Sequence, residues 1–126
     1  MKYLALTAVI ALAGCDTLKA PDYLDAATTA GVIAQGGAEM NPIIGFAGDS
    51  AAPLVSLGGK YVIREHGDLI GLTPAQSDLT ANAAGWLGGC NNLVHLVANV
   101  ELTTSLTVGA LCAAWSIYND QEKLSQ

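Results

Sequence analysis

Charged side chains are scarce in this sequence of 126 residues. Only 13% of the residues are Asp, Glu, Lys or Arg, whereas 52% are hydrophobic. Intrinsic disorder requires the opposite balance, so we expect a folded chain. Five basic residues against eleven acidic ones give a formal net charge of −6. Because there is no Lys/Arg patch to neutralise phosphates, this balance argues against electrostatic binding of nucleic acid.

Motifs for catalysis and for metal binding are also lacking. The Gly pairs are not followed by the Lys-Ser/Thr of a phosphate-binding loop, and neither a nucleophile elbow nor a His-Glu-x-x-His sequence occurs. His66 and His95 have no second ligand at helical spacing, and the three cysteines contain no Cys-x-x-Cys pair. We therefore expect neither an enzyme nor a protein that holds a metal or an organic cofactor.

The N-terminus has the pattern of a secretory leader. A lysine precedes residues 3–13, which are eleven uncharged residues, too few to span a bilayer comfortably. The segment ends in Leu12-Ala13-Gly14-Cys15, which resembles the lipobox of bacterial lipoproteins. The resemblance implies cleavage before Cys15 and lipidation of its thiol. The alternative is an uncleaved first membrane helix in which the cysteine occurs by chance.

Lipidation of Cys15 implies a membrane anchor, and this covalent lipid is the single attached group that we expect. Several acyl chains hold a protein stably, because each buried CH₂ contributes about 0.8 kcal/mol. Asp16 directly follows Cys15 and resembles the signal that retains lipoproteins of enteric bacteria at the inner membrane. The expected location is therefore the bacterial cell envelope, with the inner membrane favoured.

Beyond the anchor, Gly, Pro and capping residues divide the chain into about four short helices. Pro21-Asp22 and Thr73-Pro74 are typical of helix starts, whereas Gly36-Gly37 is typical of a helix end. We expect Gly88-Gly89 to break or kink the third helix. Sustained alternation of apolar and polar residues is missing, so strands are not predicted. The predicted helices cover residues 23–35, 51–65, 74–87 and 93–118.

The last predicted helix indicates whether the bundle lies in the membrane or in water. A helix over 93–118 is about 39 Å long at 1.5 Å per residue, enough to cross a bilayer at a tilt. No charged residue lies between Glu101 and Asp120, whereas the outer face of a helix in water is charged or polar. We therefore predict an all-α bundle that is partly embedded in the membrane, with a lipid-tethered domain in water as the alternative.

These expectations divide the sequence into four parts. A lipoprotein signal peptide occupies residues 1–14, and a lipidated tether follows over 15–22. A helical, membrane-associated domain covers 23–118, and a polar, frayed tail covers 119–126.

The middle of the chain resembles an uncharacterised family of small multi-helix bacterial membrane proteins. The resemblance rests on Leu24-Asp25-x-x-Thr28-Thr29, followed by Gly36-Gly37-x-Glu39-x-Asn41-Pro42. Later polar positions of the family match Lys60, Asn92 and Asn99. The resemblance implies a compact bundle of membrane helices.

The same region predicts a buried polar cluster on physical grounds. Asp25 shares one helix face with Thr28 and Thr29, and Lys60 shares another with Arg64. A carboxylate inside a membrane helix costs about 2.5–3.5 kcal/mol, so it needs a partner. We expect Asp25 or Glu39 to pair with Lys60 or Arg64. The full predicted cluster consists of Asp25, Thr28, Thr29, Glu39, Asn41, Lys60, Arg64, Asn92 and Asn99.

Two further cysteines have two open interpretations. An envelope compartment permits a disulfide between Cys90 and Cys112. The apolar surroundings of Cys112 in the sequence favour buried free thiols instead. Both interpretations concern packing, because neither cysteine lies in a redox or zinc motif.

The functional hypothesis is a structural or protein-interaction role in the envelope, without catalysis. The expected partners are membrane lipid and either a membrane protein or a second copy, packed through Ala/Gly faces. A second hypothesis is an accessory of membrane permeation or transport that uses Asp25, Glu39 and Lys60. A phage-type lysis or superinfection-exclusion lipoprotein is a third hypothesis, and a lipid-tethered binding domain is a fourth.

Overall fold

The computed structural model describes residues 16–37, 44 and 46–124 of the chain. Cys15, Glu39 and Asn41 lie outside the described residues. Four α-helices are present in the described part, which contains no strand, and the prediction of an all-α bundle is confirmed. The helices are α1 (Ala20–Ala34), α2 (Ala52–His66), α3 (Pro74–Ala98) and α4 (Leu102–Leu124), with 3-10 turns at Asp49–Ala51 and Gly67–Ile70.

Helix starts and ends follow local sequence signals. At the start of α1 the Asp22 carboxylate accepts the backbone N–H of Lys19 at 2.8 Å. At the start of α3 the Thr73 hydroxyl accepts the N–H of Gln76 at 3.2 Å, and the Gln76 side chain accepts the N–H of Thr73 at 2.9 Å. Each bond satisfies an N–H that has no partner within the helix. The chain leaves α1 through Gly36 at φ 84°, a conformation that glycine adopts without strain.

The predicted break at Gly88-Gly89 is wrong, because α3 continues to Ala98. These glycines lie where α3 crosses α1. A Cβ at Gly89 would lie 2.8 Å from the Leu24 side chain, and one at Gly88 would collide with the Asp25 carboxylate. The cost of glycine in a helix interior is therefore offset by the close approach of two helices.

The single helix predicted for 93–118 is also wrong. The chain turns at Asn99, whose φ of 47° is left-handed, a conformation that Asn tolerates better than most residues. Its N–H bonds to the His95 carbonyl at 2.9 Å and ends α3. The next helix, α4, runs to Leu124, so most of the tail predicted as frayed is helical. Within the described part of the chain, no helix combines the length and the apolar character needed to cross a membrane.

The turn at Asn99 makes α3 and α4 an antiparallel pair, and α3 is the central helix that contacts the other three. Cys90 and Cys112 form a disulfide across this pair, with their Cα atoms 6.5 Å apart. The expectation of free thiols is wrong, because the turn brings the two helices into register. Trp86 and Trp115 meet edge to face across the same pair, with ring centroids 5.9 Å apart, a favoured aromatic geometry.

The bundle buries small and polar side chains and exposes large apolar ones. Apart from Leu18, the buried hydrophobic residues among those described are four alanines: Ala26, Ala52, Ala81 and Ala113. The buried polar residues are Asp22, Asp25, Thr28, Thr29, Ser56, Lys60, Ser77, Ser105 and Ser116. Large apolar side chains on the outside include Phe46, Leu69, Ile70, Val97, Leu111, Trp115 and Tyr118. Small interior side chains let the helices approach closely, as in helix packing through Gly, Ala and Ser.

We predict that Gly85→Ala lowers the free energy of unfolding by about 1–3 kcal/mol, the usual cost of overpacking. A Cβ there would lie 2.8 Å from the carbonyl carbon and oxygen of Pro21, which are backbone atoms. The matched control is Gly59→Ala in α2, where nothing beyond the neighbouring residues and backbone of the same helix lies within 4 Å of the added Cβ. This control is expected to stabilise the protein by about 0.5–1 kcal/mol. Urea unfolding measures both, and equal effects of the two variants would refute the close contact between α1 and α3.

Candidate functional site

A buried ion pair joins α1 to α2. The Lys60 ammonium donates to Asp25 Oδ2, and the Ser56 hydroxyl donates to the same oxygen at 2.7 Å. Lys60 also donates to Ser56 Oγ at 2.6 Å. The Asp25 and Lys60 side chains are only 9% and 7% exposed. Of the pairings left open by the sequence, that of Asp25 with Lys60 is present, and Ser56 completes a closed triad that the sequence pattern did not predict.

A second buried pair lies about one helical turn away. Arg64 donates through Nε to Asp22 Oδ2 at 2.9 Å and through Nη2 to Asp22 Oδ1 at 3.1 Å. The Asp22 side chain is fully buried and that of Arg64 is 2% exposed. Two parallel bonds of this kind use the planar fork of arginine and fix its orientation. This pair therefore fixes the position of α1 along α2.

The Arg64 guanidinium connects α2 to α3 as well. It donates to Asp78 Oδ1 at 2.8 Å and to Asn82 Oδ1 at 2.6 Å. Asp78 also accepts the ammonium of Lys19 at 2.8 Å, and Asn82 donates to Asp120 of α4 at 2.8 Å. We call these residues the polar network: Lys19, Asp22, Asp25, Ser56, Lys60, Arg64, Asp78, Asn82 and Asp120. Its bonds reach all four helices.

A further polar contact involves the predicted residues Thr29 and Asn92. The Asn92 amide donates to the Thr29 hydroxyl at 3.0 Å, which joins α1 to α3. Asn91 donates to Asn92 Oδ1 at 3.0 Å. This contact lies along the crossing of α1 and α3 that also contains Gly88 and Gly89, and it adds a hydrogen bond between the two helices there.

Two predicted members lie apart from the cluster. The Thr28 hydroxyl donates to the Leu24 carbonyl at 2.8 Å, within its own helix, which is a common role for threonine in helices. Asn99 is exposed and forms the end of α3, so the expectation that it is buried in the cluster is wrong. Glu39 and Asn41 lie outside the described residues.

The sequence-based prediction missed Asp22, Asp78 and Asn82 as site residues. A signal for Asp22 was present, because Asp22 and Asp25 are three residues apart on one helix while Lys60 and Arg64 are four apart on another. These spacings place the two acids on one face of the first helix and the two bases on one face of the second. Asp78 and Asn82 follow the same spacing on α3, but only the packing of α3 against α2 shows which base they meet.

The chemistry of the polar network is that of a closed structural cluster. Three acids, Asp22, Asp25 and Asp78, match Lys19, Lys60 and Arg64 in charge, and the salt bridges join them. The fourth acid, Asp120, accepts a hydrogen bond from Asn82. Opposite charges that are paired and hydrogen-bonded avoid the cost of isolated buried ions. In the part of the chain that the structure describes, no group of three potential metal ligands occurs. The arrangement holds helices in register.

Asp78, like Lys19, is a partly exposed member of the network. Burial raises the pKa of Asp78, but hydrogen bonds from Lys19 and Arg64, together with their positive charges, outweigh burial and hold that pKa below 3.8. The carboxylate form is therefore favoured in the folded protein.

Comparisons with known proteins return no relationship for this chain. No protein-family model matches it, no curated protein matches it, and no solved structure matches it.

We predict that Lys60→Met lowers the free energy of unfolding by about 3–5 kcal/mol, because it leaves the buried Asp25 charge uncompensated. Adding Asp25→Asn should recover part of the loss, since the double variant buries no net charge. The matched control is Lys19→Met, which breaks an ion pair whose side chains are 45% and 48% exposed and should cost at most about 1 kcal/mol. Urea unfolding at neutral pH measures these three variants together with Asp25→Asn alone, which completes the double-mutant cycle. An additive double variant would show that Asp25 and Lys60 are not coupled.

We also predict a contribution of Asp78 to acid stability. In the folded protein the pKa of Asp78 lies below 3.8, the ordinary value for this carboxyl group. The stabilisation of the fold by ionised Asp78 is therefore fully present above pH 3.8 and is lost as the pH falls through the folded pKa. Unfolding midpoints measured from pH 5 downward should therefore fall more steeply for the wild type than for Asp78→Asn. Parallel curves for the two proteins would contradict the assigned direction of the shift.

Proposed function

We propose that this chain is a lipid-anchored protein of the bacterial cell envelope, whose helical bundle has a structural or protein-interaction role at the membrane. Cys15 carries the covalent lipid, and Asp16 keeps the protein at the inner membrane. The bundle is held against the membrane surface by this anchor, and no catalytic step is part of the proposal.

The observation that carries the proposal is the distribution of side chains. In water, large apolar side chains collect in the core and contribute about 25 cal/mol for each Å² removed from solvent. Here Leu111, Trp115 and Tyr118 are 66%, 58% and 69% exposed, while carboxylates and serines are buried. Extended apolar surface on a folded protein is typical of a site that meets a membrane or another protein.

The disulfide between Cys90 and Cys112 supports an envelope location. Disulfides persist in oxidising compartments and are rare in the reducing cytosol. The bridge joins α3 to α4, the two longest helices of the described part. A chain exported by its leader would form this bridge after translocation.

The polar network supports a structural role over permeation. Asp25 and Lys60 bond to each other and to Ser56, and both side chains are nearly inaccessible. An ion or proton pathway requires charged groups that exchange partners with water or with the transported ion. Groups that satisfy one another instead keep the bundle in one arrangement.

The test is metabolic labelling with palmitate in a bacterial host, followed by mass analysis and detergent phase partition. The wild type should carry label and enter the detergent phase. Cys15→Ala should lose the label completely, because the proposed attachment atom is removed. The matched control is the double variant Cys90→Ala/Cys112→Ala, which lacks the other two cysteines and should keep full labelling.

Two results would overturn the proposal. Absence of label and of added mass on the wild type would remove the lipid anchor. A labelled wild type that is recovered in the cytosolic fraction would remove the envelope location.

A further inference from the structure

The outward side of α4 carries three exposed apolar residues in its middle and second half. Leu111, Trp115 and Tyr118 are spaced four and three residues apart, which places them on one face of the helix. Each is more than half exposed. We call these three residues the α4 face. Leu102 and Leu106 are also exposed earlier on the same helix, but with about 3.6 residues per turn they lie on a different side of α4 from Leu111.

The α4 face has the composition of a membrane-interface surface. The helix carries no charged residue between Glu101 and Asp120, so insertion of the α4 face would not desolvate a charge on this stretch. Glu122, four residues after Tyr118, lies on the same side and is exposed, so it bounds the face at its C-terminal end. Trp and Tyr have an apolar ring with a polar group at one end, and they are enriched where hydrocarbon meets water. A helix that lies in the interface buries an apolar face of this kind a few Å below the headgroups.

The tether places this face close to the proposed lipid anchor. Lys19 and Pro21 line the same open hollow as Trp115. The four residue steps from Cys15 to Lys19 span at most about 14 Å when fully extended. The Thr17 hydroxyl donates to the Glu65 carboxylate at 2.5 Å, and Leu18 is 5% exposed, so the tether itself is packed on the bundle. The proposed acyl chain on Cys15 is therefore attached within about 14 Å of Lys19, which lines the hollow beside Trp115.

We infer that the α4 face docks onto the interfacial region of the lipid bilayer, with Trp115 and Tyr118 at headgroup depth. The inference rests on the proposed lipid anchor at Cys15. The anchor supplies attachment, and the α4 face sets the orientation of the bundle on the membrane. Because the short tether holds the bundle at the membrane, the α4 face meets lipid at a high effective concentration.

The test measures the depth of Trp115 in vesicles. Trp86→Phe in the full chain leaves Trp115 as the single tryptophan, since the sequence contains two. The protein is reconstituted into phosphatidylcholine vesicles whose acyl chains carry bromine at a shallow position. We expect bromine to reduce Trp115 fluorescence by about twofold, because an interfacial ring lies close to shallow quenchers.

A matched pair of variants tests the face itself. Leu111→Glu in this background should abolish most of the quenching, because it places a charge on the α4 face. Val62→Glu should leave quenching unchanged. Val62 is 52% exposed on α2. Val62→Glu therefore also places a charge at an exposed apolar position, but on another helix. Circular dichroism checks that both variants keep the helical fold.

The outcomes separate this inference from the proposed function. Intact mass reports whether Cys15 is acylated, and quenching reports where Trp115 lies. An acylated protein without quenching would overturn the inference and leave the anchor standing. Quenching without acylation would support docking of the face and remove the anchor. A doubled mass in sedimentation, with Trp115 unquenched and Leu111→Glu restoring the monomer, would show that a second copy covers the face and would also overturn the inference.

Discussion

Asp22 and Arg64 form the buried pair that holds the helices of this bundle in their arrangement. Both side chains are out of contact with solvent, so neither charge is stable there without the other. Because the guanidinium also bonds to Asp78 and Asn82, one side chain determines where α1 and α3 lie relative to α2. Asn82 in turn donates a hydrogen bond to Asp120 of α4, which links the fourth helix to the other three.

Packing around this network reverses the usual distribution of side chains. Small residues occupy the helix crossings, and at Gly85 the backbone of α3 approaches the carbonyl of Pro21 too closely for a Cβ. A core of this kind buries little apolar area, so it gains less hydrophobic stabilisation than a core of large side chains. Paired charges, the disulfide and close backbone contact maintain the arrangement, while large apolar residues lie on the outside.

Sequence patterns predicted the helical class and several helix boundaries because those signals are local. Pro21, Thr73 and Gly36 act within one turn of their own position, through caps and backbone conformation. The need of Asp25 for a basic partner was also predictable, because a carboxylate in an apolar helix requires a compensating charge and few bases are present, but the sequence left Lys60 and Arg64 as alternatives. The predictions failed where one residue type is compatible with two different local structures. Gly88 and Gly89 can break a helix or permit a crossing, and only the position of α1 distinguishes these uses.

The order of the amino acids is enough to predict that the chain is helical, that residues 12–15 resemble a lipobox and that its acids and bases are few and spaced for pairing. Which acid meets which base follows from packing, since Asp22, Asp78 and Lys19 come together only after α1, α2 and α3 associate. The bond between Cys90 and Cys112 likewise depends on the turn at Asn99, which sets the register of α3 against α4. Contacts between residues far apart in sequence depend on the relative placement of helices, and no local propensity encodes that placement.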